Sequence, residues 1–397
     1  MTEAAKRPQI QLRPREGRRV RAGAPWIFSN EIAIDAATRS LPAGTLVEVL
    51  SGDGRAFGAG YYNRGSLIAV RLFEAPPGVE IDANFFATRI SRALSLRDAL
   101  FDRPYYRLVH AEGDFLPGLV IDRYNETCVV QITTAGMEAL LSNVLGALER
   151  VIAPTTIILR ADSPMRALEG LPSHVKTVKG TEPERLRIEE TGLIYFADLL
   201  GGQKTGWYFD QRENRAFVSA LARGRSVLDL YCHSGGFAIS AAAAGARQVR
   251  GVDSSATALA LARQAADANQ VEGLCELAKA DAMEELERLG ATGELFDIVI
   301  CDPPPFVRSR KDVESGARAY RKLARLAARV TAPDGFLLLA SCSHNMPAER
   351  FLAECAAGIR RADRRGSLIR ASGAGPDHPV HPMLPETAYL KTLVFRI

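Results

Sequence analysis

From Ser226 onwards the chain alternates short apolar runs with helical stretches, and this rhythm constrains the fold more than any other feature. "SVLDLYC", "QVRGVD", "LFDIVICD" and "FLLLASC" read as buried strands. Between them lie an Ala-rich helix reaching Ala244, the helical "SATALALARQAADANQ", and "ARAYRKLARLAARV". Strands separated by helices of about 10–15 residues form βαβ units, and βαβ units build a parallel sheet. "AYLKTLVFRI" adds a closing strand. An α/β domain is therefore expected over the C-terminal half.

The preceding half has another texture. From Gly44 to Phe73, "TLVEVL", a Gly-rich turn "SGDGRAFGAG", "YY" and "LIAVRLF" read as the short strands of a small β-barrel. "APPG" (75–78) closes that unit. Asp82 is placed to cap a helix carrying Phe85, Phe86, Ile90 and Leu94 at helical spacing. "GLVIDRY" and "TCVVQIT" are strands joined at Asn125, followed by a helix over Glu138–Val151 and the strand "TTIILR". Three domains are expected, 1–78, 79–190 and 191–397, within the prior of roughly 100–200 residues per domain for a chain of 397.

Composition narrows the class. Hydrophobic residues make up 47% and charged residues 24%, as in ordinary globular proteins. No apolar run approaches the roughly 20 residues of a membrane helix, and the N-terminus lacks a signal peptide's apolar segment. A cytosolic protein is expected. Cysteines 128, 232, 275, 301, 342 and 355 form no C-x-x-C pair, and the histidines do not fall at i, i+4. Neither a disulfide framework nor a metal site is expected. The net charge of +4 identifies no partner by itself. Residues 1–24, however, hold Lys6, Arg7, Arg13, Arg15, Arg18, Arg19 and Arg21 against Glu3 and Glu16, the footprint of a solvated tail or of a polyanion binder.

In open α/β sheets ligands gather at the carboxyl ends of the strands. The first strand there leads through Asp229 into "YCHSGGF", where Gly235 and Gly236 permit a tight turn into the next helix. The second ends in Asp253, about 20 residues on, where an acid can grip a ribose. Asp281 follows the third. Each acid alone is as easily a helix cap; the three together favour an adenosine-type cofactor. A nicotinamide dinucleotide would want G-x-G-x-x-G, which "HSGGFA" lacks. After the fourth strand comes "CDPPPF", whose prolines fix a rigid turn at Asp302. This set of acids fits the cationic, phosphate-free S-adenosylmethionine.

"DLYCHSGGFAIS", "GVDSS", "CDPPPF" and "SCS" resemble the motifs of class I S-adenosylmethionine-dependent RNA methyltransferases. "LLGGQKTGWYFDQRENR", "YRLVHAEGDFLPGLVIDRY" and "APWIFSNEI" with "GAGYYNRGSLIAVRLF" are similar to one group, the large-subunit ribosomal RNA cytosine-C5 methyltransferases with an N-terminal PUA domain. The resemblance spans nearly the whole chain. It implies a Rossmann-like methyltransferase domain behind a PUA-like barrel and a mixed α+β central domain, S-adenosylmethionine as cofactor, ribosomal RNA as substrate, and a homodimer. It makes Asp229, Cys232, Ser234, Gly235, Gly236 and Phe237 the cofactor turn. Asp253 with Ser254 falls at the ribose, Asp281 with Ala282 beside the adenine, and Lys204, Tyr208 and Asp210 at the methionine end or substrate entrance. Asp302 is shared between cofactor and base. The chain departs from the family pattern at Pro305 and Ala324.

Cys342 follows the apolar "FLLLAS" at a strand's carboxyl end, and the family's strand order places it beside Asp302. A thiolate adding to C6 makes cytosine C5 nucleophilic, which is the role expected for Cys342, with Asp302 hydrogen-bonding the N3 and N4 edge. A buried cysteine is the ordinary alternative. Cys301 is expected to point into the core by strand alternation. Arg18 and Arg19 are the expected RNA contacts, with Phe306 or Tyr320 as stacking rings, either being equally a packing residue. Two other functions compete: an RNA base N-methyltransferase using the D-P-P turn without a thiol, and an RNA-binding module that performs no chemistry.

Overall fold

The computed structural model describes residues 7–199 and 206–397. These fall into two compact units. One runs to Glu184 and takes in Leu199, Gly206 and Pro376–Thr387; the other comprises Arg185–Asp198, Trp207–Gly375 and Ala388–Ile397.

The first unit holds two five-stranded sheets. The N-terminal sheet is built from β1 (Gln9–Gln11), β2 (Trp26–Phe28), β3 (Thr45–Leu50), β4 (Ala56–Tyr62) and β5 (Ile68–Leu72), in the order β1-β3-β4-β5-β2. Ile10, Val47, Val49, Tyr62 and Val70 form its core. The turn expected over 51–60 is shorter, because Ala56–Gly60 already belong to β4. Its glycines let neighbouring backbone approach: a Cβ on Gly58 would lie 2.4 Å from the Ala75 carbonyl oxygen, and on Gly60 2.7 Å from that of Arg71.

Asp82 caps the helix Ala83–Leu100 through the Phe85 amide at 2.9 Å, and that helix buries Phe86 and Ile90. The second sheet has β6 (Tyr105–His110), β7 (Leu119–Tyr124), β8 (Thr127–Ile132), β9 (Thr156–Ala161) and β10 (His174–Lys179) in the order β10-β9-β8-β7-β6. Asn125 makes the β7–β8 turn at φ 55°. The single helix expected over 138–151 is two, Ala135–Ala139 and Leu141–Val151, with Thr134 capping the first at the Met137 amide.

The second unit opens with a hairpin, β11 (Leu186–Glu190) and β12 (Leu193–Ala197). Its seven-stranded sheet comprises β13 (Ser226–Leu230), β14 (Gln248–Asp253), β15 (Cys275–Lys279), β16 (Phe296–Cys301), β17 (Thr331–Ser341), β18 (Ser367–Ser372) and β19 (Lys391–Arg396). The order is β15-β14-β13-β16-β17-β19-β18. The first five are parallel; β19 runs antiparallel to both its neighbours. Strand order reverses at β13, so the carboxyl ends of β13 and β16 flank the switch point where α/β sheets bind ligands. Helices Val313–Val330 and Ala348–Arg360 lay Tyr320, Leu323, Ala327 and Phe351 on the sheet's core. The edge strand β18 has no counterpart in the sequence reading. No described helix is long and apolar enough to cross a membrane.

Candidate active site

β13 ends at the turn expected to hold a cofactor. Tyr231, His233 and Gly235 there have φ of 62°, 49° and 84°, three left-handed residues within five before the helix Gly236–Ala243 begins. Asp229 is buried, and its Oδ2 accepts the Ala238 amide at 2.9 Å inside that helix's first turn. Burial holds its carboxyl well above the usual carboxylate range, against the pull of the Ala238 amide; Asp302 and Asp253 add to the rise. Asp253 ties the turn to β14: Oδ2 accepts the His233 amide at 2.9 Å and Oδ1 the Ser255 amide at 2.8 Å. Ser234 and Phe237 are buried within the turn, Gly236 is half-buried, and Ser254 is exposed.

Asp281 is exposed and caps the helix Ala282–Thr292, accepting the Met283 amide at 2.8 Å and the Glu284 amide at 3.0 Å, with Ala282 buried behind it. Four aspartates thus sit at or just past the carboxyl ends of four strands, with three at or beside the switch point. The first-turn amide of Gly236–Ala243 that a pyrophosphate would want is already taken by Asp229. A carboxylate-rich rim, with the Ala238 amide already taken, suits a cationic sulfonium and a ribose, and the residues present fit S-adenosylmethionine.

β16 and β17 lie side by side, Cys301 paired with Leu339, so Asp302 and Cys342 leave adjacent strands at the same end of the sheet. Asp302 is held by a polar chain. Gln211 Nε2 donates to Asp302 Oδ2 at 2.9 Å, and Asn214 Nδ2 donates to Gln211 Oε1 at 2.7 Å. Ser372 Oγ donates to Asn214 Oδ1 at 2.8 Å. The chain fixes which end of each amide faces which partner, and it presents Gln211 to Asp302 as a donor. Gln211 and Asn214 lie within the "FDQREN" segment noted from the sequence, but nothing in the sequence pairs them with a residue ninety positions away.

Cys342 is half-buried, and both its neighbours are anchored. The Tyr320 hydroxyl lies 2.8 Å from Ser341 Oγ, which donates to it, and 2.9 Å from Ser343 Oγ. Ser343 Oγ also accepts the Val307 amide at 3.2 Å. Tyr320 is 1% exposed, which favours the packing reading over stacking on RNA: its ring packs between Phe306 and Phe351, and its hydroxyl braces the thiol's strand end. Phe306 is half-buried, its ring centroid 4.8 Å from that of Tyr320.

The segment before the helix Arg212–Ala222 approaches the same strand ends. Tyr208 packs edge-on to His233 at 5.3 Å. Burial first, and then Asp302, Asp210 and Cys342, push its phenol up. Asp210 is buried and accepts a short hydrogen bond from the Tyr389 hydroxyl, while the Tyr389 ring lies 5.3 Å from His344. Buried Glu190 holds this segment: Arg215 grips it at 2.7 and 2.8 Å, Trp207 donates at 3.2 Å, and Arg215 Nη1 reaches the Tyr208 carbonyl at 3.0 Å. Lys204 lies outside the described residues.

The other thiols differ from Cys342. Cys128, Cys232, Cys301 and Cys355 are buried, and burial pushes each of them up. Cys275 is half-buried but begins β15, at the amino edge of the sheet. In the first unit, Arg18 is exposed, while Arg19 pairs with Glu386 at 3.7 Å and lies over the Phe28 ring at 5.3 Å.

Comparison with known proteins agrees with this architecture. Residues 10–75 match a PUA-like domain, and residues 170–396 match the S-adenosylmethionine-dependent methyltransferase family. Similar proteins include ribosomal RNA large subunit methyltransferase I of Tolumonas auensis, 35% identical over 94% of this chain and 95% of that protein. The same-named protein of Shewanella amazonensis is 35% identical over 98% and 99%. A SAM-dependent methyltransferase structure from Streptococcus mutans shares the fold at TM-score 0.83 and 20% identity, covering 98% of this chain and all of that one. A methyltransferase complexed with SAH does so at TM-score 0.85 and 20% identity, with the same coverage. A PUA-like barrel, a switch point lined with carboxylates, and relatives alike over almost their full length converge on one conclusion: the chain belongs to the S-adenosylmethionine-dependent methyltransferase family, with S-adenosylmethionine as its methyl donor.

Proposed function

We propose that the protein methylates C5 of a cytosine in large-subunit ribosomal RNA through a covalent adduct with Cys342. The carrying observation is that Cys342 is the one thiol that is both incompletely buried and at the carboxyl end of the sheet, on the strand next to that of Asp302. Ribosomal RNA as substrate is supported by the names of the relatives and by the PUA-like barrel.

In this reading S-adenosylmethionine supplies the methyl group. Asp253 and Ser254 hold its ribose, Asp281 and Ala282 flank its adenine, and the turn from Asp229 to Phe237 supports it from below. Tyr208 and Asp210 line the entrance. The Cys342 thiolate bonds to C6 of a base held out of its stack, and the ring electrons pass to C5. C5 then takes the methyl, a base removes the C5 proton, and the electrons of that C–H bond expel the thiolate. Asp302 hydrogen-bonds the N3 and N4 edge and offsets the charge change as the thiolate adds. Residues 1–78, including Arg18 and Arg19, bind RNA; 79–190 form a central module; 191–397 carry the chemistry, in a homodimer.

The test is methyl transfer to a large-subunit ribosomal RNA fragment, with bisulfite mapping of the product. Cys342→Ala is expected to lower kcat by about a thousandfold or more, the scale of losing a covalent nucleophile, while calorimetry shows S-adenosylmethionine affinity unchanged. Full methyl transfer by Cys342→Ala sinks the C5 mechanism in favour of transfer to a ring or exocyclic nitrogen. Failure of the parent protein to bind S-adenosylmethionine sinks both.

A further inference from the structure

β19 begins at Lys391, directly opposite Ser341 on β17. From there the side chain reaches around the strand end that carries Cys342. Its Nζ donates to the Ser343 carbonyl at 2.7 Å and to the Met346 carbonyl at 3.0 Å. The Met346 amide also donates to the Ser343 carbonyl, at 3.1 Å, so Lys391 closes the turn that leads away from the thiol. An ammonium has three donors, and these carbonyls use two.

The surroundings of this cation are unusual. Lys391 is half-buried, and among the described residues it forms no ion pair with a carboxylate. A partly desolvated ammonium satisfied only by neutral carbonyls lacks a counter-charge. Burial pulls it below the usual lysine value, and Cys342 acts in the other direction. Among the described residues, the groups that the electrostatics and hydrogen bonds place around Cys342 include phenols and acids. Tyr208 and Tyr320 are phenols pushed up by burial, and so neutral. Asp302 and Asp210 are acids that oppose a thiolate. His344 in the same turn is exposed and faces Tyr389, and Arg212 and Arg215 are engaged with Glu190.

We propose that Lys391 is the positioning and charge-compensating residue of Cys342: it pins the turn after the thiol through the two carbonyls, and its ammonium favours thiolate over thiol. The inference rests on Cys342 as nucleophile. It assigns the favouring of thiolate to a cation on the neighbouring strand, the thiol's proton passing to solvent.

Alkylation of the full chain by iodoacetamide tests this, with the Cys342 peptide followed by mass spectrometry across pH. Lys391→Gln keeps an amide that can serve the carbonyls but carries no charge; Lys391→Met removes both; Lys391→Arg keeps the charge. Gln and Met are expected to move the alkylation midpoint up by about 1 unit, the lower end for a nearby opposite charge, slowing reaction at neutral pH about tenfold. Arg should hold the midpoint near that of the parent. In methyl transfer, Gln should lower kcat by about the same factor with the KM for RNA and S-adenosylmethionine affinity unchanged. An unmoved midpoint in Gln, with thermal stability retained, overturns the proposal. A moved midpoint alongside full methyl transfer by Cys342→Ala leaves the Lys391–thiolate coupling standing and removes the nucleophile reading instead.

Discussion

At the scale of single residues, Asp229 shows how a binding turn trades stability for shape. A carboxyl whose native pKa lies above its unfolded value binds its proton more tightly when folded, so stability falls as pH rises from the ordinary 3.8 towards the native value. Above 3.8 the fold carries a growing cost for keeping this carboxyl buried; below 3.8 both states are protonated and the cost vanishes. Asp229→Asn is therefore expected to raise the thermal midpoint at pH 7, to bring no gain near pH 3, and to weaken S-adenosylmethionine binding. Thermal scans at the two pH values and calorimetry read the three effects. No gain at pH 7 would mean the Ala238 hydrogen bond already offsets the burial.

The element scale explains why the cofactor turn demands glycine at one position. The helix Gly236–Ala243 can start beneath the sheet's edge only if Gly235 sits at φ 84°. A Cβ there would lie 3.1 Å from both Ala262 Cβ and Ile239 Cγ1, atoms of the helices Ala256–Ala268 and Gly236–Ala243 that cannot swing aside freely. Gly235→Ala combines about 1–2 kcal/mol of left-handed strain with that crowding. A thermal midpoint lowered by several degrees and weaker S-adenosylmethionine binding are expected; an unchanged midpoint would show the turn has another way to close.

The central strands were legible for a simple reason. Parallel strands covered on both faces must be apolar throughout, so "SVLDL", "FDIVIC" and "GFLLLAS" announce themselves and place Asp229, Asp302 and Cys342 at their ends. The edge strand β18 leaves Leu368 and Ile369 exposed and shows no such run. Gln211, Asn214, Tyr320 and Lys391 carry no local signal of their roles, because each matters through a partner that only the sheet's register brings near. Tyr320 sits on a helix at core spacing, and nothing local distinguishes a ring that braces Ser341 and Ser343 from one that meets a base.

At the scale of the whole molecule, the segment Pro376–Thr387 belongs to the first unit although its flanks belong to the second. Its anchor is Arg97, fully buried, which grips Asp114 at 2.6 and 2.8 Å and donates to the Asp377 carbonyl at 2.7 Å. Asp114→Ala would strand that guanidinium, at about 3–5 kcal/mol for one partner of a buried pair. The chain's two tryptophans, Trp26 and Trp207, fall one in each unit, so urea unfolding followed by fluorescence in a Trp207→Phe background reports the first. A midpoint lowered to match is expected; none would show that water or another group replaces the carboxylate. These contacts join positions 97, 114 and 377, a separation no local pattern encodes.

The strand order also has a consequence for how the chain is made. β17 is complete at Ser341, but its antiparallel partner opens only at Lys391, fifty residues later. At about 5–20 residues per second of synthesis, the apolar edge of "GFLLLAS" emerges some 3 to 10 seconds before the strand that covers it. During that interval the nascent chain presents a long, uncharged pairing edge to whatever is nearby, which makes this stretch the expected station for a chaperone on the way to the finished protein.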